Sequence, residues 1–225
     1  MWRTLTPALR RDVLALAGAV TVVGASFGAI ATAAGVPWWL CSALSLLVFA
    51  GGSQFMVVGV IAAGGAPIAA VISALLLNVR HLPFGLAVGH LLGTGRVARF
   101  VGAHFLLDES VAFAMAQRDP RQARAVLWVS GVVLFVMWNV GTVVGVLGGQ
   151  AIGDTDAFGL DAAFPAALLA LVLPSLREPR VRRAALLGAA IALAATPFVP
   201  AGVPVLLALL GLVAIRNGAT AEVTA

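Results

Sequence analysis

The sequence predicts an all-α membrane protein, a polytopic bundle of about seven (six to eight) transmembrane segments. Of its 225 residues, 61% are hydrophobic and only 10% are charged, and the mean hydropathy is +1.06. Soluble domains carry about 25% charged residues, because water has to solvate a folded surface. This chain cannot cover such a surface, so lipid must solvate much of its exterior.

Eight apolar stretches make up the predicted segments. They run at about 12–34, 38–63, 66–95, 97–117, 125–149, 162–175, 181–199 and 203–216. Because a crossing helix needs about 20 apolar residues, little length remains for a soluble domain, and residues 1–225 are predicted to form a single membrane transport domain. Stretch 97–117 contains Arg99, His104, Asp108 and Glu109. It either crosses inside the bundle or lies at the interface, since charges are costly at the bilayer centre.

The basic residues predict the orientation. All 14 are Arg, and most fall in short clusters before residue 12, at 118–124 and at 177–183. The positive-inside rule places these clusters, and both termini, in the cytoplasm, with acidic segment 150–161 outside. Arg96 and Arg99 fit this scheme only if stretch 66–95 is broken and turns back; otherwise they lie outside. The clusters form no basic face or groove, so nucleic acid is not an expected partner.

A weak internal repeat is suggested by two pairs of motifs. Gly24-Ala-Ser-Phe-Gly28 is echoed by Gly141-Thr-Val-Val-Gly145, and Pro83-Phe84 by Pro197-Phe198, at similar offsets. Transporters are often built from such repeats, which here would be halves 10–95 and 125–216. The alternative is that each Gly-xxx-Gly motif only lets two helices approach closely.

Gly51-Gly52-Ser53-Gln54 lies in the middle of stretch 38–63. Adjacent glycines are poor helix formers and predict a break at mid-depth. Such a break is tolerated where it lines a cavity, and its free backbone groups can bind the charged ends of a substrate. The alternative is a contact between helices, with Gln54 bonded to a neighbour.

Asn78, Arg80 and His81 lie near the middle of stretch 66–95, just before Pro83. Ionisable groups at this depth are costly and indicate a transport pathway or proton relay. Arg80 is a candidate to bind a substrate carboxylate and His81 to carry a proton, because histidine changes charge near neutral pH. Alternatively, Arg80 only pairs with an acid and stabilises the bundle, or this segment lies at the interface, where Arg snorkels.

Asp108 and Glu109 are acids inside an apolar stretch. They are candidates to carry protons or to pair with Arg80, and an ion pair that breaks in one state could act as a gate. His90 and His104 are interpreted as ordinary polar contacts. Asn139 and Thr142 either line a cavity or form hydrogen bonds to a neighbouring helix.

Several functional classes find no support in the pattern. The chain lacks Lys and therefore the phosphate-binding loop of an ATPase, and no nucleophile–base motif of an enzyme is evident. A single Cys and scattered histidines make no metal site. No enzyme activity, metal or cofactor is expected.

The motifs together resemble the large subunit of AzlC-type (BrnF-type) branched-chain amino acid exporters. The resemblance rests on Phe27-Gly28, on Phe49–Phe55, on Asn78-Val-Arg-His81 with Pro83-Phe84-Gly85, on Asp108–Phe113 and on Gly159–Pro165. It implies export of branched-chain or similar neutral amino acids across the cytoplasmic membrane, together with a small membrane subunit of AzlD type. Family members usually have a bulkier aromatic sequence where this chain has Leu82-Pro83-Phe84.

The combined expectation is a secondary transporter of the cell inner membrane. Gly51–Gln54, Asn78 and Arg80 would bind the amino acid, and His81, Asp108 and Glu109 would carry protons. A channel, or a membrane assembly or sensor subunit without transport activity, is the alternative.

Overall fold

The computed structural model describes residues 1–151, 169, 173, 175–199 and 203–212, and these residues are predominantly helical. Helices α1 to α8 are Pro7–Ala33, Trp38–Leu47, Gly51–Ala62, Pro67–Asn78, His81–Val88, Arg96–His104, Asp108–Met115 and Pro120–Ala151. Helices α9 and α10 are Pro179–Ala195 and Val203–Leu207, the latter continued by a 3-10 turn to Leu212.

The predicted all-α membrane fold is confirmed by helix length and composition. Three described helical runs are long and apolar enough to cross a bilayer: Pro7–Ala33, Pro67–Leu91 and Pro120–Gln150. Three shorter apolar helical runs are Trp38–Leu47, Gly51–Ala62 and Val203–Leu212. The total of about seven crossings stays a prediction. The described residues do not include motif Gly159–Pro165, Arg216, or the part of acidic segment 150–161 beyond Ala151.

The chain divides into two compact units, residues 1–54 with 76–153 and residues 55–75 with 154–225. In the second unit, Val60 packs with Ala69 and Ala70 across the turn between α3 and α4. In the same unit, α9 runs antiparallel to the segment at 203–212, because Gly188 faces Ala208 while Gly211 faces Ala184. The assignment of residues 1–225 to one transport domain stays a prediction.

Helices α1 and α8 form the centre of the first unit and run parallel. A Cβ on Gly24 would lie 2.7 Å from the carbonyl oxygen of Trp138, and one on Gly149, further along, 3.1 Å from the Cβ of Thr32. Parallel packing puts Arg3, and the arginines in the first two turns of α1, at the same end of the pair as those around the start of α8. The prediction that both clusters lie in the cytoplasm requires this arrangement, and the orientation stays a prediction.

The two Gly-xxx-Gly motifs pack against each other. Gly24 lies against Trp138 and Thr142, whereas Gly141 lies against Thr21 and Ala25. Gly24 therefore contacts the residues at positions −3 and +1 from Gly141, and Gly141 contacts the residues at positions −3 and +1 from Gly24. The contact has a local two-fold character. This finding agrees with the close-approach interpretation of the motifs, and the full repeat halves remain a prediction.

Stretch 97–117 is a hairpin of two short helices rather than one crossing. Helix α6 starts near Gly93, which faces the guanidinium of Arg124 in the second turn of α8, and a Cβ on Gly102 would lie 3.0 Å from the Trp128 ring. Helix α7 runs back toward the start of α8, because Met115 at its end lines the same cavity as Pro120, the first residue of α8. Arg96 and Arg99 therefore lie at the arginine-bearing end of α8.

The hairpin tip is fixed by backbone and side-chain contacts. Ser110 is fully buried; its hydroxyl accepts a hydrogen bond from the Leu107 amide at 2.9 Å and donates to the carbonyl of Phe105 at 2.9 Å. A Cβ on Gly131 would lie 2.7 Å from the Phe105 Cβ, so α8 has no room for a side chain there. The tip therefore rests directly on the α8 backbone.

Candidate functional site

The segment predicted to break around the glycine pair is interrupted just before it. Helix α2 ends at Leu47, Phe49 has a φ of +42°, and α3 begins at Gly51. The Gln54 amide bonds to the Ala50 carbonyl at 3.1 Å, so the glycines form the first turn of α3. Glycine is tolerated in a first turn, and the break lies at Phe49 instead. The predicted discontinuity is confirmed, but its position at Gly51-Gly52 is wrong by about two residues.

Phe49 carries backbone strain. A positive φ is rare for a bulky residue and costs about 1–3 kcal/mol where the surroundings impose it. The surroundings here are aromatic: the Phe49 ring is 5.0 Å from that of Phe135, edge to face, and its side chain is 3% exposed. Packing of the ring holds the strained turn.

We expect Phe49→Gly to be more stable than Phe49→Ala by about 1 kcal/mol, because only glycine adopts this φ without strain. Thermal unfolding of the purified variants measures the difference. Leu47→Gly and Leu47→Ala form the control pair, in which the order is reversed because Leu47 is helical. If Phe49→Ala were the more stable variant, the turn would not be strained.

A second interruption follows α4. The chain turns at Val79 and Arg80 before α5 begins at His81, and the Leu82 amide bonds to the Val79 carbonyl at 3.0 Å. Pro83 has no amide proton and its ring clashes with the carbonyl four residues earlier, which is that of Val79. The backbone hydrogen bond here therefore joins residues three apart, as in a 3-10 turn, instead of four apart as in an α-helix. Asn78, Arg80 and His81 lie at this break.

Residues from both interruptions and from the hairpin tip line one cavity of about 200 Å³. Its polar lining comes from Asn78, His81 and His104, and its remaining wall is formed by Val48, Phe49, Ala50, Ala103 and Leu106. The cavity is smaller than the range of about 300–1,000 Å³ typical of drug-sized ligands. It therefore suits a small solute.

Arg80 connects the three parts of the site. Its Nη1 is 2.8 Å from Oδ2 of Asp108, at the start of α7, and a Cβ on Gly52 would lie 3.5 Å from its Nη2. Of the two acids considered as partners in the sequence, the structure selects Asp108. Glu109 is exposed and forms no ion pair with any residue the structure describes.

Several polar atoms of the site have no hydrogen-bond partner among the described residues. They are Nε of Arg80, Oδ1 of Asn78 and both amide atoms of Gln54. His81 is fixed, because its Nδ1 lies 3.0 Å from the Asn78 carbonyl. A carbonyl only accepts hydrogen bonds, so Nδ1 carries the proton and Nε2 is the nitrogen that can take another.

The remaining predicted residues have local or separate contacts. Ser53 is fully buried and donates to the Ala50 carbonyl at 2.8 Å. The Ser45 hydroxyl donates to Oδ1 of Asn139 at 2.8 Å and lies 3.2 Å from the hydroxyl of Thr142, so the interhelical alternative applies to both of those residues. Sequence reasoning missed Phe49 and His104. The proximity of His104 to Asp108 in the sequence was the one signal that could have pointed to it.

Comparison with known proteins places this site within a family. The AzlC protein family matches residues 15–152, which include every predicted site residue. The chain belongs to the AzlC family. An uncharacterized membrane protein from Archaeoglobus fulgidus is 33% identical over 178 residues, which cover 76% of each chain. No solved structure matches the chain.

The AzlC family assignment confirms the resemblance found in the sequence. AzlC proteins are a membrane transport-associated family rather than an enzyme family, and the apolar helices place this chain in a membrane. Among the described residues, no group of three or more His, Cys, Asp or Glu could hold a metal ion.

Proposed function

We propose that this protein is a secondary transporter that exports branched-chain or other neutral amino acids across the cytoplasmic membrane, coupled to protons. The proposal includes a small membrane subunit of AzlD type and cytoplasmic termini. The observation that carries it is the Arg80–Asp108 pair, which joins interrupted helices beside a small cavity. Non-helical backbone at membrane depth is characteristic of transporter binding sites.

Arg80 is the proposed site for the substrate carboxylate. Its guanidinium lies next to Gly52 in the first turn of α3, where the backbone amides have no carbonyl partner within the helix. A guanidinium and a helix N-terminus both attract anions, and Nε of Arg80 has no partner among the described residues. A carboxylate can therefore replace Asp108 on Arg80 and gain a helix N-terminus as well.

The cavity beside Arg80 matches the rest of a neutral amino acid. Oδ1 of Asn78 is an available acceptor for the α-ammonium group. Val48, Ala50 and Leu106 provide an apolar wall for an aliphatic side chain. Burial of such a side chain contributes about 1.5–3 kcal/mol, which favours Val, Leu or Ile over Gly or Ala.

Proton coupling would follow from competition at Arg80. A substrate that takes Arg80 releases Asp108, and a carboxylate that loses its counter-ion binds a proton more readily. Nε2 of His81 is a second candidate proton acceptor. Glu109, which follows Asp108 at the start of α7, is a third. Binding of substrate and of protons would then be linked through one ion pair.

Transport in proteoliposomes tests the proposal. Purified protein, with and without its small subunit, is reconstituted with labelled leucine, isoleucine, valine or methionine inside. We expect saturable efflux that collapses when a protonophore removes the proton gradient. Non-saturating flux that ignores the gradient would identify a channel, and no flux with either preparation would favour an assembly or sensor role.

A further inference from the structure

We infer that α6 and the start of α8 form a binding site for an anionic phospholipid. Arg99 and Arg124, the arginine pair, would hold its phosphate, and the apolar side chains of Val97 and Phe100 would contact its acyl chains. The site is separate from the cavity described above and does not depend on the proposed transport function.

The two guanidinium groups of the arginine pair meet at Gly93. Nε of Arg99 donates to the Gly93 carbonyl at 3.0 Å, and a Cβ on Gly93 would lie 3.1 Å from Nη2 of Arg124. Gly93 also has a φ of +103°, in the region that favours glycine. The turn before α6 therefore brings together two positive charges from different helices.

The charge of the arginine pair is not balanced by any acid that the structure describes. At this end of α1 and α8, Asp12 pairs with Arg11, and Asp119 accepts a hydrogen bond from a backbone amide of α8 at 3.0 Å. Arg99 donates only through Nε, and no described residue accepts a hydrogen bond from Arg124. The free donors match the oxygens of a phosphate, and an anion relieves the repulsion between the two guanidinium groups. The positive-inside rule explains an excess of arginine on one side of a membrane, but not the convergence of two arginines on one glycine.

Helix α6 adds an apolar surface beside these charges. Val97 and Phe100 are 77% and 82% exposed, and they lie next to the exposed Arg96 and Arg99 in the same helix. Helices that combine basic and apolar faces lie in the membrane interface, with the apolar side chains among the acyl chains. A phospholipid fills both parts of the site, whereas free phosphate fills only the charged part. The observations therefore favour a lipid of the surrounding leaflet as the occupant.

The lipid site and the cavity lie at opposite ends of α6. The helix runs from Arg96 to His104, a length of about 13 Å. Its last two residues, Ala103 and His104, line the cavity. A bound lipid would hold the start of the hairpin at the interface, and substitutions in the arginine pair leave the cavity lining unchanged.

Lipid binding to the purified protein tests the inference. Native mass spectrometry counts the lipids bound in a neutral detergent, in about 0.15 M ammonium acetate, where exposed charges more than about 8 Å apart are largely screened. The probes are phosphatidylglycerol and phosphatidylcholine with the same acyl chains, because both contain phosphate but only phosphatidylglycerol carries a net negative charge. We expect phosphatidylglycerol to bind more tightly, and Arg99→Gln and Arg124→Gln should each weaken its binding about fivefold, the effect of one charge near an anionic headgroup.

Arg11→Gln is the matched control. It removes the same charge from an arginine that already has an acidic partner, so it should bind phosphatidylglycerol like wild type. If Arg124→Gln does not fold, Arg124→Lys takes its place, and its loss should be smaller because only the planar fork is removed. Equal binding of the two lipids by wild type overturns the inference. Equal losses in the control and in the arginine pair also overturn it, since they would reflect net charge alone.

Inorganic phosphate and Phe100→Ser distinguish a lipid site from a simple anion site. We expect phosphate at the concentration of the lipid to displace no phosphatidylglycerol, and Phe100→Ser to weaken phosphatidylglycerol binding, because the acyl chains lose an apolar contact. Displacement by phosphate at equal concentration, or unchanged binding by Phe100→Ser, would overturn the assignment of a lipid as the occupant.

Discussion

Arg80→Ala is expected to reduce amino acid transport by at least about 30-fold while the protein remains folded in the membrane. A hydrogen bond to a charged group contributes about 1.5–3 kcal/mol, and about 1.4 kcal/mol corresponds to a factor of ten, so loss of the proposed carboxylate contact accounts for the expected reduction. The variant would lose the proposed carboxylate contact and leave Asp108 without its counter-ion. Initial rates of leucine efflux from proteoliposomes, at matched protein content, measure the loss.

Two further variants show which property of Arg80 is needed. Arg80→Lys keeps the charge but loses the planar fork, so it should retain only part of the activity. Arg121→Ala removes one positive charge from the exposed start of α8 and should transport like wild type. Normal efflux by Arg80→Ala would exclude Arg80 as the substrate contact, and equal losses in Arg80→Ala and Arg121→Ala would indicate an effect of net charge alone.

Gly145→Leu is expected to prevent α1 and α8 from packing. A Cβ on Gly145 would overlap the carbonyl oxygen of Ala25, which belongs to the α1 backbone and cannot rotate away. Overpacking usually costs about 1–3 kcal/mol, and a clash between two backbones falls at or above the upper end of that range. For a chain of this size, such a loss lowers the melting temperature by about 6–12 °C or more.

Gly148→Leu is the matched control. Gly148 lies one turn further along α8, and a Cβ there would meet nothing within 4 Å. Gly28→Leu and Gly18→Leu make the equivalent pair in α1, for the same reason. The clashing variants should yield little monodisperse protein after detergent extraction, and the controls should match wild type. Equal yields within both pairs would show that the glycines are not needed for the contact.

Sequence reasoning identified the interrupted helices and their polar residues because both depend on local chemistry. The proline at position 83 disrupts the backbone hydrogen bonds of a helix wherever the segment is placed, and an arginine in an apolar stretch favours an acid nearby. Asp108 is one of two adjacent acids in an apolar stretch. Its pairing with Arg80, at 2.8 Å, could therefore be proposed from composition alone.

The parts that could not be predicted depend on tertiary packing. Residues Phe105 to Leu107 turn the hairpin without glycine or proline, because Gly131 of α8 accommodates the turn. Hydropathy is the same for an apolar hairpin and an apolar crossing, so stretch 97–117 was ambiguous. Similarly, nothing local assigns a positive φ to Phe49, whose strain is maintained by Phe135 and His104.

The parallel contact of α1 with α8 has a consequence for biosynthesis. Gly24 and its counterpart Gly141 are 117 residues apart in the chain, so at about 5–20 residues per second α1 waits roughly 6–23 s before its partner is made. A continuous apolar helix can wait in lipid, since its backbone is already hydrogen-bonded. The hairpin tip bonds its own backbone through Ser110, but it has no helix to pack on until Gly131 is made. We therefore expect the hairpin of α6 and α7 to pack on α8 at about the time that α8 meets α1, a helix already in place.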